Sequence, residues 1–117
     1  MIIIGEKING AIPAVAKAIA ERDVEMIRKL AINQSDAGAQ YLDVCAGTEP
    51  EYEIETLIWL LDVVQDAVAT PVCIDSPDPQ TLAEVLPLIK QPGVVNSVSG
   101  ESNKCDIIFS FSKSNIY

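Results

Sequence analysis

Three short apolar runs in this chain each lead into an acidic side chain: Ile2-Ile3-Ile4-Gly5 into Glu6, Tyr41-Leu42 into Asp43, and Val72-Cys73-Ile74 into Asp75. A fourth run, Val94-Val95, leads into Asn96. A carboxylate directly after a buried strand is costly to leave unpaired, so it caps a helix, faces a cation or receives N–H groups from a ligand. Near these positions the only cationic side chain in sequence is Lys7. A carboxylate can accept two adjacent N–H groups at once, and an amide both donates and accepts. Asp75 and Asn96 therefore suit opposite polar edges of a flat nitrogen heterocycle. The same residues have plainer uses: Asp75 in a turn with Ser76-Pro77, Asn96 as a helix cap, and Glu6 and Asn9 as solvated residues around a Gly5 turn.

These side chains share a site only if the runs are parallel strands whose carboxyl ends open on one face. The segments between them support that arrangement. Residues 12–20 carry Val15 and Ile19 at helical spacing, and Asp23 offers an N-cap for a second helical stretch with Met26, Ile27, Leu30 and Ala31, which Gly38 ends. After Tyr41–Cys45 and an Ala46-Gly47-Thr48 turn, Glu49-Pro50-Glu51 suits a first helical turn. The helix is expected to run to about Ala69, with Ile54, Leu57, Ile58, Leu61, Val64, Ala67 and Val68 on its buried face. Asp78 caps and Pro79 opens a fourth helix, which Pro87 kinks and Pro92-Gly93 ends. Strands alternating with helices indicate an α/β chain of βαβ units around a parallel sheet. Four such steps make half of a (β/α)8 barrel, which takes about 250 residues; a small open sheet is the alternative.

At 117 residues and 49% hydrophobic, the chain can hold one ordinary core. A net charge of −9 with only eight Lys and Arg disfavours a nucleic-acid partner, which needs a basic face, and favours small molecules or proteins. Met1 to Ile4 is followed at once by Gly5-Glu6-Lys7, unlike a secretory leader, and no apolar stretch approaches the roughly 20 residues that span a bilayer. A cytoplasmic chain without a membrane partner is expected. Cys45, Cys73 and Cys105 are odd in number and widely spaced, in a chain without His, so they are expected to be buried or inert thiols, not a disulfide framework or a metal site.

Gly5-Glu6-Lys7-Ile8-Asn9-Gly10, Leu42-Asp43-Val44 with Gly47, Cys73-Ile74-Asp75-Ser76 and Val95-Asn96-Ser97 occur in that order at βα spacing. Together they resemble successive motifs of the methyltetrahydrofolate:corrinoid methyltransferases, whose pterin-binding barrel also occurs in the folate domain of cobalamin-dependent methionine synthase and, more distantly, in dihydropteroate synthase. The resemblance covers residues 1–109 and implies the N-terminal half of a pterin-binding (β/α)8 TIM barrel, incomplete at this length. It implies that Asp75 and Asn96 bind the pterin and that Glu6, Asn9 and Asp43 line the same pocket. Cys45-Ala46 departs from the family, where many relatives have an Asn nearby. The implied reaction moves the N5 methyl of methyltetrahydrofolate to or from a corrinoid carried by a partner protein. Further catalytic residues, an Asp and an Asn, are expected beyond Tyr117.

Residues 101–109 resemble the opening of the next family helix, whereas the polar segment 110–117 does not, which suggests a truncation or a shifted frame and a chain inactive alone. Two other readings stand beside methyl transfer. One is a non-catalytic pterin-binding module, with two half-barrels forming a homodimer through open edge strands. The other is a dihydropteroate-synthase-like enzyme.

Overall fold

The computed structural model describes residues 2–90 in full and, as backbone strands, 94–96 and 107–108. Five strands form one sheet in the order β1 (Ile4–Asn9), β2 (Tyr41–Cys45), β3 (Val72–Asp75), β4 (Val94–Asn96) and β5 (Ile107–Ile108). The first four are parallel and follow one another in space as in sequence. An open doubly wound sheet reverses its strand order at a switch point; this one does not, as a barrel requires. Helices α1 (Pro13–Ala20), α2 (Val24–Asp36), α3 (Pro50–Ala67) and α4 (Pro79–Val85) fill the connections.

Alternation along the strands divides the side chains between two faces. Ile8, Leu42, Val44, Val72 and Ile74 pack with Ile27, Leu57, Leu60, Leu61, Val64 and Val85 in the main core between sheet and helices. On the opposite face Cys73 packs with Ile4 and Tyr41. Strands buried on both faces have little need of polar alternation, which is why β3 is apolar until Asp75.

Local signals set most helix ends. Asp23 accepts the Met26 N–H at 3.2 Å and opens α2; Asp78 accepts the Gln80 N–H at 2.9 Å and opens α4, with Pro79 in the first turn. At the end of α2, Ala39 N–H reaches Gln34 O and Gly38 N–H reaches Ser35 O, a closure that places Gly38 at φ 105°. A Cβ on Gly38 would touch nothing within 4 Å, so its cost is conformational alone. Gly38→Ala is expected to lower stability by about 1 kcal/mol in urea unfolding, and an unchanged midpoint would contradict that account. The same closure ends α1, where Arg22 takes the left-handed position at φ 52° while Asp23 N–H reaches Ala18 O. Arg22 there donates to Ile19 O at 2.7 Å and lies 5.1 Å from the Trp59 ring centre.

Several expectations need correction. The first strand is shifted from the run Ile2 to Glu6: Ile2 and Ile3 are half exposed, and β1 runs from Ile4 on to Asn9 because Ile8 fits the core opposite Val44. The buried face of α3 is rotated from the expected one, with Leu60 buried and Ile58 exposed. Its stripe runs Glu53, Leu57, Leu60, Leu61, Val64. Helix α4 ends at Val85 and tightens into a 3₁₀ turn, Leu86–Leu88, instead of continuing through a kink, since Pro87 has no N–H and its ring clashes with the preceding turn. Residues 107–108, expected to be helical, pair antiparallel with β4, as two β-branched residues beside a sheet edge do readily. The expected helix end at Pro92-Gly93, the rest of 101–109 and the boundary at 110 lie outside the described residues. Among the described residues no helix is long and apolar enough to cross a membrane.

Candidate functional site

The pairing of the strands fixes which residues share their carboxyl ends. Asn9 stands opposite Cys45, Cys45 opposite Asp75, and Asp75 opposite Asn96. Four consecutive strands thus end in one row, about 14 Å long at ordinary strand spacing. Asp75 and Asn96, the two expected partners of a heterocycle, are register neighbours in it. Asn9 joins them.

Glu6 and Asp43 do not end their strands, against expectation. Asp43 lies two residues short of the end of β2, opposite Cys73, and is almost fully buried on the face that carries Cys45. Val44 and Cys45 extend β2 beyond it because Val44 fills the core between Ile8 and Ile74. Glu6 is exposed in the middle of β1.

The turns after the strands have their own anchors. Asn9 Oδ1 accepts the Ala11 N–H at 2.8 Å and Asn9 O accepts the Ile12 N–H at 2.9 Å, so part of the Asn9 inventory shapes the turn into α1. After β3 the turn is held by Ser76, whose Oγ accepts the Asp78 N–H at 3.1 Å, and by the Asp78 cap. Gly10 and Gly47 let the first two turns interlock. Gly10 N–H donates to Cys45 O at 3.0 Å, a Cβ on Gly10 would meet the Ala46 carbonyl oxygen, and Gly47, at φ 57°, backs onto Gly10 and Ala11.

Two groups of the site escaped the sequence reading. Glu53, in the first turn of α3, is buried and accepts the Thr81 hydroxyl at 3.1 Å, tying the starts of α3 and α4 together. Its signal was present in sequence: an acidic residue on the apolar stripe that continues through Leu57 and Leu60. The other is Cys45, whose thiol is pushed up from 9.0 to about 11, first by burial, then by the Asp75 charge, with Asp43 and Glu53 adding to it and a hydrogen bond with the Gly47 backbone opposing. Cys45 is thus a protonated thiol beside three carboxyl groups. Cys73 is buried as expected but disulfide-bonded, contrary to the expectation of inert thiols.

The chain is 65% identical over 108 residues to a methylcorrinoid:tetrahydrofolate methyltransferase of Eubacterium limosum, a match that takes in 92% of this chain and 40% of that protein. It therefore spans well under half the length of this curated relative. A family model described as "Pterin binding enzyme" matches residues 13–113. That span contains three of the four strand ends in the row, including Asp75 and Asn96. With a sheet of barrel order and a family match over most of its length, the chain belongs to the pterin-binding enzymes.

Proposed function

We propose that this chain forms the pterin-holding side of an enzyme that moves the N5 methyl group between methyltetrahydrofolate and a corrinoid protein. The observation that carries the reading is the register pairing of Asp75 with Asn96 at the open ends of β3 and β4. In this reading Asp75 accepts the ring N–H and exocyclic amino group, and Asn96 meets the other polar edge. Asn9 closes the row, and Asp43 and Glu6 line the pocket beneath and beside it. The similarity to a protein named for methyl exchange between a methylcorrinoid and tetrahydrofolate favours this reaction over pteroate synthesis.

The donor set fits a pterin edge: carboxylates and amides recognise N–H groups and leave a corrinoid to its own carrier protein. When that carrier docks, its corrinoid supplies the metal centre that exchanges the methyl group. This chain's residues bind and orient the ring and favour a proton on it. N5 leaves the methyl group readily only when a proton or hydrogen bond draws on it. Burial is the main cause that holds Cys45 protonated and would disfavour a charged ring, whereas the carboxylates that add to it, Asp75 first, would favour a proton on the ring. A cytosolic setting, with residues 1–109 as barrel, belongs to the same proposal.

Calorimetric titration of methyltetrahydrofolate into the chain and into Asp75→Ala tests it. Loss of one carboxylate that accepts two hydrogen bonds is expected to weaken binding by at least 30-fold, about 2 kcal/mol or more, with the circular dichroism unchanged. Equal binding by both proteins would remove Asp75 from the pocket.

A further inference from the structure

Strand β1 does not pair regularly with β2. Ile4 faces Tyr41 and Gly5 faces Leu42, but Ile8 faces Val44 and Asn9 faces Cys45. Two residues, Glu6 and Lys7, thus stand against the single residue Asp43. Had the pairing run unbroken from Gly5, Ile8 would stand opposite Cys45 and the Asn9 side chain would point toward the helices. The bulge, by absorbing one residue, reverses both: Ile8 is fully buried in the core under the helices, and Asn9 joins the row. Bulges of this kind re-aim side chains beside functional sites.

A bulge frees a backbone N–H from the ladder, and that donor needs a partner. Here Lys7 N–H donates to Gln34 Oε1 at 3.0 Å, across from α2. Gln34 is itself almost wholly buried and steadied by donating from Nε2 to Leu30 O at 3.2 Å. Gly5 makes room for it, since a Cβ there would collide with Oε1 and lie 2.8 Å from Cδ. An amide side chain buried on a helix, a glycine opposite it and a bulge between them make one device.

We propose that Gln34 is a positioning residue: by accepting the Lys7 N–H it holds the bulge that turns Asn9, instead of Ile8, into the strand-end row. The consequence for ligand rests on the pterin reading of that row; the bulge itself does not.

The test compares Gln34→Leu, which removes the acceptor at similar volume, with Gln34→Glu, which keeps an acceptor oxygen. By NMR, Gln34→Leu is expected to speed exchange of the Lys7 amide at least tenfold and weaken the cross-strand contacts between Asn9 and Cys45, while amides of β2 and β3 keep their protection. Gln34→Glu is expected to restore both signals at a pH low enough to keep its carboxyl protonated, where it can both accept from Lys7 and donate to Leu30 O. Unchanged Lys7 protection and Asn9–Cys45 pairing in a folded Gln34→Leu protein would overturn the proposal. Should Gln34→Leu fail to fold, Gly5→Ala, whose methyl group displaces the amide oxygen, reads the same two signals. Titration with methyltetrahydrofolate then tests the consequence. Gln34→Leu should weaken binding at least fivefold in the parent chain but add nothing in an Asn9→Ala background, whereas fully additive losses would sink the positioning role. Absence of folate binding by the parent chain would count against the proposed function alone, leaving exchange and pairing to decide the bulge.

Discussion

Gly10→Ala is expected to lower the unfolding free energy by about 3 kcal/mol, the upper end for overpacking. The new methyl group would enter the space of the Ala46 carbonyl oxygen and carbon, with Ile19 Cδ1 only 3.3 Å away on another side. Neither neighbour can yield cheaply. Ala46 is buried between Cys45, which accepts the Gly10 N–H, and Gly47, which is held in the left-handed region with its own Cα backed onto Gly10. Relief requires parting the turns that follow β1 and β2, and those turns carry Asn9 and Cys45. Urea unfolding measures the loss, and folate titration should show weakening beyond detection in whatever remains folded. A cost below about 1 kcal/mol would mean that the turns are not interlocked; this is the value expected for Gly38, where only the dihedral angle is at stake.

The second large effect concerns Cys45. With its thiol pushed up from 9.0 to about 11, the thiolate fraction near neutral pH is about 100-fold below that of an ordinary cysteine. Alkylation by iodoacetamide at pH 8, followed by mass spectrometry of the Cys45 peptide, is expected to be slower in the folded chain by about that factor than in the same chain in urea. The rate should climb about tenfold per pH unit until pH approaches 11. Asp75 is the largest charge contribution, so Asp75→Asn should increase the rate more than Glu53→Gln. Equal rates in the folded and unfolded chains would contradict the packing of these groups around the sulfur. The sign for stability follows. The fold binds this proton more tightly than the unfolded chain does, so the contribution is intact below about pH 9 and is lost as pH rises toward 11.

Much of the architecture was legible because its signals are local. Asp23, Gly38, Asp78 and Pro79 act within a few residues of themselves, and each ends or opens the helix that its chemistry suggests. Asp75 and Asn96 were legible for a related reason: short parallel strands between clear helices leave little freedom in where they end. The orientation of α3 was not. Ile54, Leu57, Ile58, Trp59, Leu60, Leu61, Val63 and Val64 make that helix apolar on several sides, so periodicity alone does not choose among neighbouring stripes. Choosing Ile58 over Leu60 also hid Glu53, one turn before Leu57 on the stripe that is actually buried. The end of β1 was misplaced because it depends on Ile8 meeting Val44 across strands, which no local pattern announces, whereas β2 spans Tyr41–Cys45 as expected. Gln34 is the extreme case: its partner Lys7 is 27 residues away, and an amide in a helix gives no sign in sequence of serving a distant strand.

The bulge in β1 also separates two kinds of variation that look alike on paper. Glu6 and Lys7 are both exposed. Deleting one of them would leave a single residue opposite Asp43, so the pairing would become regular with the isoleucine still opposite Val44 and the asparagine still opposite Cys45. A deletion elsewhere in the strand reverses the facing of the side chains on one side of it, because side chains alternate. The bulge is where β1 can lose a residue without turning its end.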